Sequence, residues 1–188
     1  MVAAPSGDLE TERLVLRRFR RQDWRELQDY VSLPEVTRYD FEYPSTVEGC
    51  QDLADHFSGQ LGVWAVCLKD SGRLIGHVVS NQVPPSAFLT WDLGFIFNPA
   101  FESAGYASEA CRRLIDHVFA CLGAHRIESH CHPENIRSWR LLERLSMRRE
   151  GHHVQNASLR REPDGSPIWW DTLDYAILRE EWLALQQV

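Results

Sequence analysis

The segment Glu102-Ser103-Ala104-Gly105-Tyr106-Ala107-Ser108 stands just ahead of a strongly periodic apolar run. A glycine-containing loop that opens a helix turns unpaired N–H groups and the positive end of the helix dipole outward, which suits a phosphate or pyrophosphate. The donors would be the backbone amides of Ala104, Gly105, Tyr106, Ala107 and Ser108. Taken alone, Gly105 equally serves a tight strand-to-helix turn. Asn135 and Ser138 lie at i,i+3 and so share one face at the start of a helix. By themselves they also read as an N-cap and a surface residue. Asp92, two residues before Gly94, is a carboxylate that could serve as a general base, since burial in a sheet would raise its pKa toward a useful value. It reads equally well as a rim carboxylate in an ion pair. His77, His130 and Glu42 are weaker alternatives.

His130-Cys131-His132, with Cys121 and His125 upstream, carries metal-ligand types. In a strand, however, His130 and His132 point away from Cys131, so the three do not converge locally and no metal is expected. The five cysteines, Cys50, Cys67, Cys111, Cys121 and Cys131, are odd in number, lack a C-x-x-C pair and sit in apolar or periodic segments. They read as reduced thiols in or near the core of a cytoplasmic protein.

The elements that must position these groups follow from periodicity. Alternation marks a strand from Leu14 to Phe19. Asp23 is placed to cap a helix carrying Trp24, Leu27, Tyr30 and Val31, which Pro34 stops or restarts. A second helix spans Ser45–Ser58, with Ser45 or Thr46 as cap and Val47, Cys50, Leu53, Ala54 and Phe57 as its apolar stripe. Val63–Leu68, an Asp70-Ser71-Gly72 turn and Arg73–Val79 form a hairpin, and a third strand covers Phe88–Phe97. Gly105–Leu122 is the strongest helix, with Ala110, Cys111, Leu114, Ile115 and Val118 on one face, Glu109 facing Arg113, and Gly123 ending it. Arg126–Cys131 reads as a strand, Asn135–Leu145 as a helix, and Arg148–Val154 with Trp170–Leu178 as a last strand pair. This order predicts one α/β or α+β sheet with helices on its faces.

Composition narrows the function. The 20 Lys and Arg against 27 Asp and Glu give a formal net charge of −7, which disfavours nucleic acid as main ligand. Apolar stretches last only a few residues, far short of the roughly 20 that span a bilayer. Met1–Glu10 shows no basic and apolar signal pattern. Residues 1–10 are expected to be a flexible N-terminus and 11–188 a single domain.

Gly94-Phe95-Ile96-Phe97-Asn98-Pro99 followed by Glu102–Ala110 resembles the acyl-CoA pyrophosphate loop of the GNAT N-acetyltransferase superfamily. His132-Pro133-Glu134-Asn135-Ile136-Arg137-Ser138 resembles its P-x-N-x-x-S segment, and Arg148-Arg149-Glu150-Gly151 its R-x-E-G ending. Thr11-Glu12-Arg13-Leu14-Val15-Leu16-Arg17 and Trp170–Tyr175 with Glu181-Trp182 are similar to the branch containing the ribosomal-protein alanine N-acetyltransferases. These ordered motifs run from Thr11 to Trp182, nearly the whole chain.

The resemblance implies a GNAT fold: a central mixed, splayed sheet of about six to seven strands flanked by about four helices. The split would lie between Phe88–Phe97 and Arg126–Cys131 and hold the pantetheine arm. It implies acetyl-CoA as donor, bound by Phe95, Ile96, Phe97, Ala104, Gly105, Tyr106, Ala107, Ser108, Asn135 and Ser138. Ser138 would assist the departing thiolate, Asp92 occupies the place where relatives often carry a Glu base, and the acceptor would be a primary amine. Trp139, Trp169 and Trp170 would wall the acceptor pocket. The branch is compatible with a homodimer.

The loop departs from the usual Gln/Arg-x-x-Gly-x-Gly/Ala pattern at Glu102 and Ala104. A carboxylate about 6 Å from a phosphate charge costs roughly 3 kcal/mol at an effective dielectric near 20. Two alternatives follow: an acyl carrier protein with a phosphopantetheine thioester as donor, or a non-catalytic acyl-CoA-binding module.

Overall fold

In a computed structural model, residues 7–186 are described. The elements in chain order are β1 (Leu9–Glu10), β2 (Leu14–Arg18), α1 (Trp24–Val31), α2 (Pro34–Thr37), α3 (Val47–Ser58), β3 (Val63–Leu68), β4 (Leu74–Val79), β5 (Thr90–Asp92), β6 (Gly94–Phe97), α4 (Tyr106–Cys121), β7 (Arg126–Cys131), α5 (Ile136–Arg144), β8 (Arg148–Arg161), β9 (Pro167–Leu178) and α6 (Arg179–Leu185). Five strands pair in the order β1-β2-β3-β4-β6 and four in the order β5-β7-β9-β8. This is the expected α+β architecture of mixed strands with helices on its faces, with more strands and helices than the periodicity marked.

The extra elements have specific causes. The segment 1–10 was expected to be flexible; residues 1–6 lie outside the described residues, but Leu9–Glu10 pair with Leu16 and Val15, and Leu9 is buried. The strand expected over Phe88–Phe97 is cut at Leu93. Its first half, β5, runs parallel to β7, with Asp92 opposite Glu128, while its second half, β6, runs antiparallel to β4. The final hairpin is longer than alternation suggested, because register shifts interrupt the period-two pattern between His153 and Arg160. Its turn is marked by Pro163-Asp164-Gly165, where Gly165 takes φ +86° and Glu162 N–H bonds Ser166 O at 2.8 Å.

Two apolar layers hold the sheet. One, with Leu14, Leu16, Val66, Ile75, Ile127 and Leu173, packs on the inner stripe of α4 and on Leu141 and Leu142 of α5. The other, with Phe19, Ala65, Cys67 and Leu74, lies under Leu27, Tyr30 and Val31 of α1 and Cys50 and Ala54 of α3. Thr46 caps α3 by accepting from Gly49 N–H at 3.1 Å, whereas Val47, expected in the stripe, is exposed. Cys121 is also exposed, unlike the other four thiols.

Asp23 does more than begin α1. It is buried, accepts from Arg20 N–H at 2.8 Å and takes both arms of the Arg17 guanidinium at 2.7 and 2.8 Å. The pair fixes β2 to the start of α1. His77 is 2% exposed, shares a 2.8 Å hydrogen bond with Tyr30 Oη and lies among Phe19, Tyr30 and Phe57. Burial pushes its pKa down to about 3, so it is a neutral core residue and drops out as a candidate base.

Two outcomes follow. Asp23→Ala leaves Arg17 buried without a counter-ion and should lower the unfolding free energy by about 3–5 kcal/mol in urea titration. His77 has a folded-state pKa below its ordinary 6.5, so its stabilising contribution is complete above pH 6.5 and is lost progressively as pH falls toward about 3. His117, also pushed down by burial and by Arg113 and Arg18, acts in the same direction. Thermal melts at pH 7.5, 6 and 5 should show a steady fall in Tm; a flat profile would contradict both buried neutral imidazoles.

Candidate active site

The break at Leu93 creates an open edge. Leu93 N–H donates to Glu128 O at 2.8 Å and its carbonyl accepts from Ser129 Oγ at 2.7 Å, which ties the chain to β7 for the last time before β6 turns away. Asn98 N–H bonds Ile75 O at 2.9 Å, and this sets the parity of β6. Gly94 and Ile96 turn their backbone groups toward β4, while Phe95 and Phe97 turn theirs toward the split. Of the three expected donor-binding residues here, Phe95 and Phe97 therefore present free backbone groups. Ile96 is buried, with its N–H and C=O directed into the ladder.

The loop after β6 is shaped to hold an anion. Ser103 and Gly105 both take left-handed conformations, with φ +63° and +81°. Gly105 is the N-cap of α4 without any side-chain cap, so the N–H groups of Tyr106, Ala107 and Ser108 have no intrahelical acceptor. Such alternating backbone forms a concave nest of N–H groups. The partly buried Phe95, Phe97, Tyr106, Ala107 and Trp139 rest on the core around it.

Glu109 does not face Arg113 as the helical spacing predicted. Its carboxylate accepts from Thr11 Oγ1 at 2.5 Å, Arg13 N–H at 3.0 Å and Arg13 Nε at 2.7 Å, while Arg13 Nη1 donates to Ala104 O at 2.9 Å. Arg113 bonds Glu10 O instead. Arg13 also lies over the Tyr106 ring, 4.5 Å from its centroid. The Thr11-Glu12-Arg13 motif, in the turn between β1 and β2, thus buttresses the loop from nearly a hundred residues away. Burial raises the Glu109 carboxyl, but the bonds from Thr11 and Arg13 outweigh it and hold the group below its ordinary range.

Glu102 is likewise partnered: Arg137 Nη1 donates to Glu102 Oε1 at 2.6 Å. The expected repulsion between Glu102 and a phosphate omitted this guanidinium, which lies next to Ser138 in sequence but reveals its partner only in three dimensions.

On α5, Asn135 is the N-cap and its Oδ1 accepts from Ser138 N–H at 3.2 Å. That leaves the side-chain NH₂ for a ligand. Ser138 Oγ turns to Cys131, whose thiol burial pushes up to about 11, with the Ser138 hydrogen bond partly offsetting the rise.

Asp92 occupies the opposite face. Its carboxylate accepts from Asn81 N–H, and it stands in register with Glu128. Burial raises its pKa; bonds from Asn81 oppose the rise, Glu128 adds to it and His130 opposes it. Beside it, His130 Nδ1 and Asp174 Oδ1 share a 2.7 Å hydrogen bond, and His153 Nε2 bonds the other Asp174 oxygen. His132 leaves this group: it stacks on Tyr39, with centroids 4.7 Å apart, and meets Trp170 edge-on at 5.6 Å. Trp139 and Trp170 are half-buried and Trp169 exposed, whereas Trp64 and Trp91 belong to the core. Glu42 is exposed in the loop after α2.

Ser138 and Asp92 therefore flank the split from opposite faces, since Cys131 and Glu128 alternate along β7. Such an arrangement can admit a thioester from one side and a nucleophile from the other.

The chain matches the acetyltransferase (GNAT) domain over residues 13–148. It is 35% identical over 175 residues to the uncharacterized N-acetyltransferase YnaD of Bacillus subtilis (strain 168), covering 93% of this chain and 98% of the relative. A GNAT-family acetyltransferase from Bacillus anthracis superposes with a TM-score of 0.81 at 33% identity, covering 93% of this chain and 100% of that one. Spermidine N-acetyltransferase from Vibrio cholerae, solved in complex with CoA and spermine, superposes with a TM-score of 0.72 over 92% of this chain and 99% of that one. At 21% identity this likeness concerns the fold.

Glu109→Gln keeps the shape of the buttress and removes its charge. Loss of one set of charge-assisted bonds should weaken CoA binding about tenfold while the protein stays folded, as read by calorimetry beside a thermal melt.

Proposed function

This chain belongs to the GNAT acetyltransferases and is an N-acetyltransferase, and from that premise we propose that it moves an acetyl group from acetyl-CoA to a cationic primary amine by direct attack in a ternary complex. The observation that carries this reading is the placement of Ser138 and Asp92 on opposite faces of one split, at whose mouth lies a nest of free amides.

Acetyl-CoA supplies the activated acyl thioester. The nest at Ala104–Ser108 fits its pyrophosphate, and the open-edge backbone groups of Phe95 and Phe97, with the Asn135 amide, fit the pantetheine. Ser138 Oγ donates a hydrogen bond on the sulfur side. Asp92, whose carboxyl burial raises above its ordinary range, takes the proton of the acceptor ammonium on the other face. An α-amine with a pKa near about 8 is roughly a tenth neutral at pH 7 and needs little help, whereas a lysine-like amine needs the base far more. Asp92, Glu128 and Asp174 on that face favour a positively charged acceptor, such as a peptide N-terminus or a small amine. The carrier-protein alternative rested on Glu102 and Ala104, and the ion pair with Arg137 weakens the first of these grounds.

Steady-state kinetics with acetyl-CoA and a panel of peptide and small-amine acceptors test the reading. Ser138→Ala should lower kcat about 10–100-fold with donor affinity within about twofold. Asp92→Asn should lower kcat most near pH 7 and recover as pH rises, because the acceptor then loses its proton to solvent. Unchanged turnover in either variant would remove that residue from the mechanism.

A further inference from the structure

Glu102 ends the turn after β6, and Arg137 lies in the first turn of α5 after β7. Their ion pair therefore joins the two flanks of the split at its mouth. Topology alone makes this a crossing contact, because β6 and β7 are the strands that diverge.

The two groups are unequally held. Arg137 is 72% exposed and Glu102 39%, and the recorded bond engages only one guanidinium nitrogen. Arg13, the other guanidinium at the loop, is committed through Nε and Nη2 to Glu109 and through Nη1 to Ala104 O. Arg144 reaches the loop only through a 3.5 Å contact with Ser108 Oγ. Arg137, with one nitrogen engaged, keeps donors to spare and, unlike Arg144, already holds a carboxylate of the loop. An exposed carboxylate is a weak partner, whereas a phosphate offers more charge and a bidentate match to the guanidinium fork.

We propose that Arg137 is a phosphate ligand for the donor, kept in place by Glu102 as a resident counter-ion, and that the donor's phosphate displaces Glu102 from the guanidinium. The proposal rests on the donor reading above and deepens it. It accounts for an acidic residue in a loop otherwise built for an anion: the missing positive charge arrives from α5, across the split. It also makes the phosphate, rather than the pantetheine arm alone, the selected feature of the donor. When Arg137 changes partners, the bridge that spans the mouth becomes a strap fastened to the ligand.

The test is titration of the full chain, as wild type, Glu102→Gln, Arg137→Gln, Arg137→Lys and the Gln/Gln double variant, at two salt concentrations. CoA affinity is read by calorimetry, and phosphate-free pantetheine by inhibition of turnover. Arg137→Gln should weaken CoA about tenfold or more and flatten its salt dependence. Arg137→Lys, which keeps the charge and loses the fork, should fall between. Glu102→Gln should tighten CoA about 3–10-fold by freeing the guanidinium, and most of that gain should vanish in the double variant. Pantetheine should bind all five proteins alike.

CoA affinity within about twofold of wild type in Arg137→Gln overturns the proposal, as does a parallel change in pantetheine, which marks a merely structural role. If wild type holds CoA no better than pantetheine, the donor reading itself fails. If wild type binds CoA through its phosphates but ignores Arg137, the exchange alone fails.

Discussion

The candidate site depends on one strand losing a partner at Leu93, where it leaves β7 and keeps only the β4 side. A strand can satisfy two neighbours at once, and Thr90–Asp92 does so, with β7 on one side and residues 81–83, which follow β4, on the other, whereas Gly94–Phe97 keeps β4 alone. Backbone polar groups left unpaired inside a protein are costly, so an open edge of this kind persists only where something else can bond to it. The edge at Phe95 and Phe97 is such a place. It turns a sheet that would otherwise be closed and inert into a clamp with two accessible faces.

The clamp is held from far away in sequence. Thr11 and Arg13, just ahead of β2, grip Glu109 in the first turn of α4 and so fix the loop whose amides face the mouth. Arg17, two turns of the pleat further on, grips Asp23 and fixes the start of α1. One short strand and the residues just ahead of it thereby position both the loop before α4 and the helices of the opposite face. The sequence motif that opens the domain has its physical meaning in these two carboxylates rather than in the strand itself.

The two faces of β7 divide the work by simple alternation. Ile127, Ser129 and Cys131 point to α4 and α5, and Cys131 meets Ser138 there. Arg126, Glu128 and His130 point the other way, into a field of carboxylates and imidazoles that includes Asp92 and Asp174. Ser138 and Asp92, the two side chains in the proposed reaction, are thereby kept apart by the thickness of a sheet, on opposite sides of its split.

The sequence by itself carried the family, the four long helices and the hairpin, and it singled out Ser138, Asn135, Gly105 and Asp92 as candidates, because these are written in local periodicity and short motifs. It misplaced the partners of charged residues. Glu109 was paired with Arg113 because i,i+4 spacing is the local rule, and Glu102 was left facing a phosphate alone because Arg137 lies 35 residues away. His77 looked like a base until its burial among Phe19, Tyr30 and Phe57 was visible. The break at Leu93 was equally hidden, since two half-strands in different sheets alternate as well as one whole strand does. Only the tertiary structure decided which carboxylate meets which guanidinium, for ion pairing depends on distance through space and a chain's spacing constrains that distance only within a turn or two of helix.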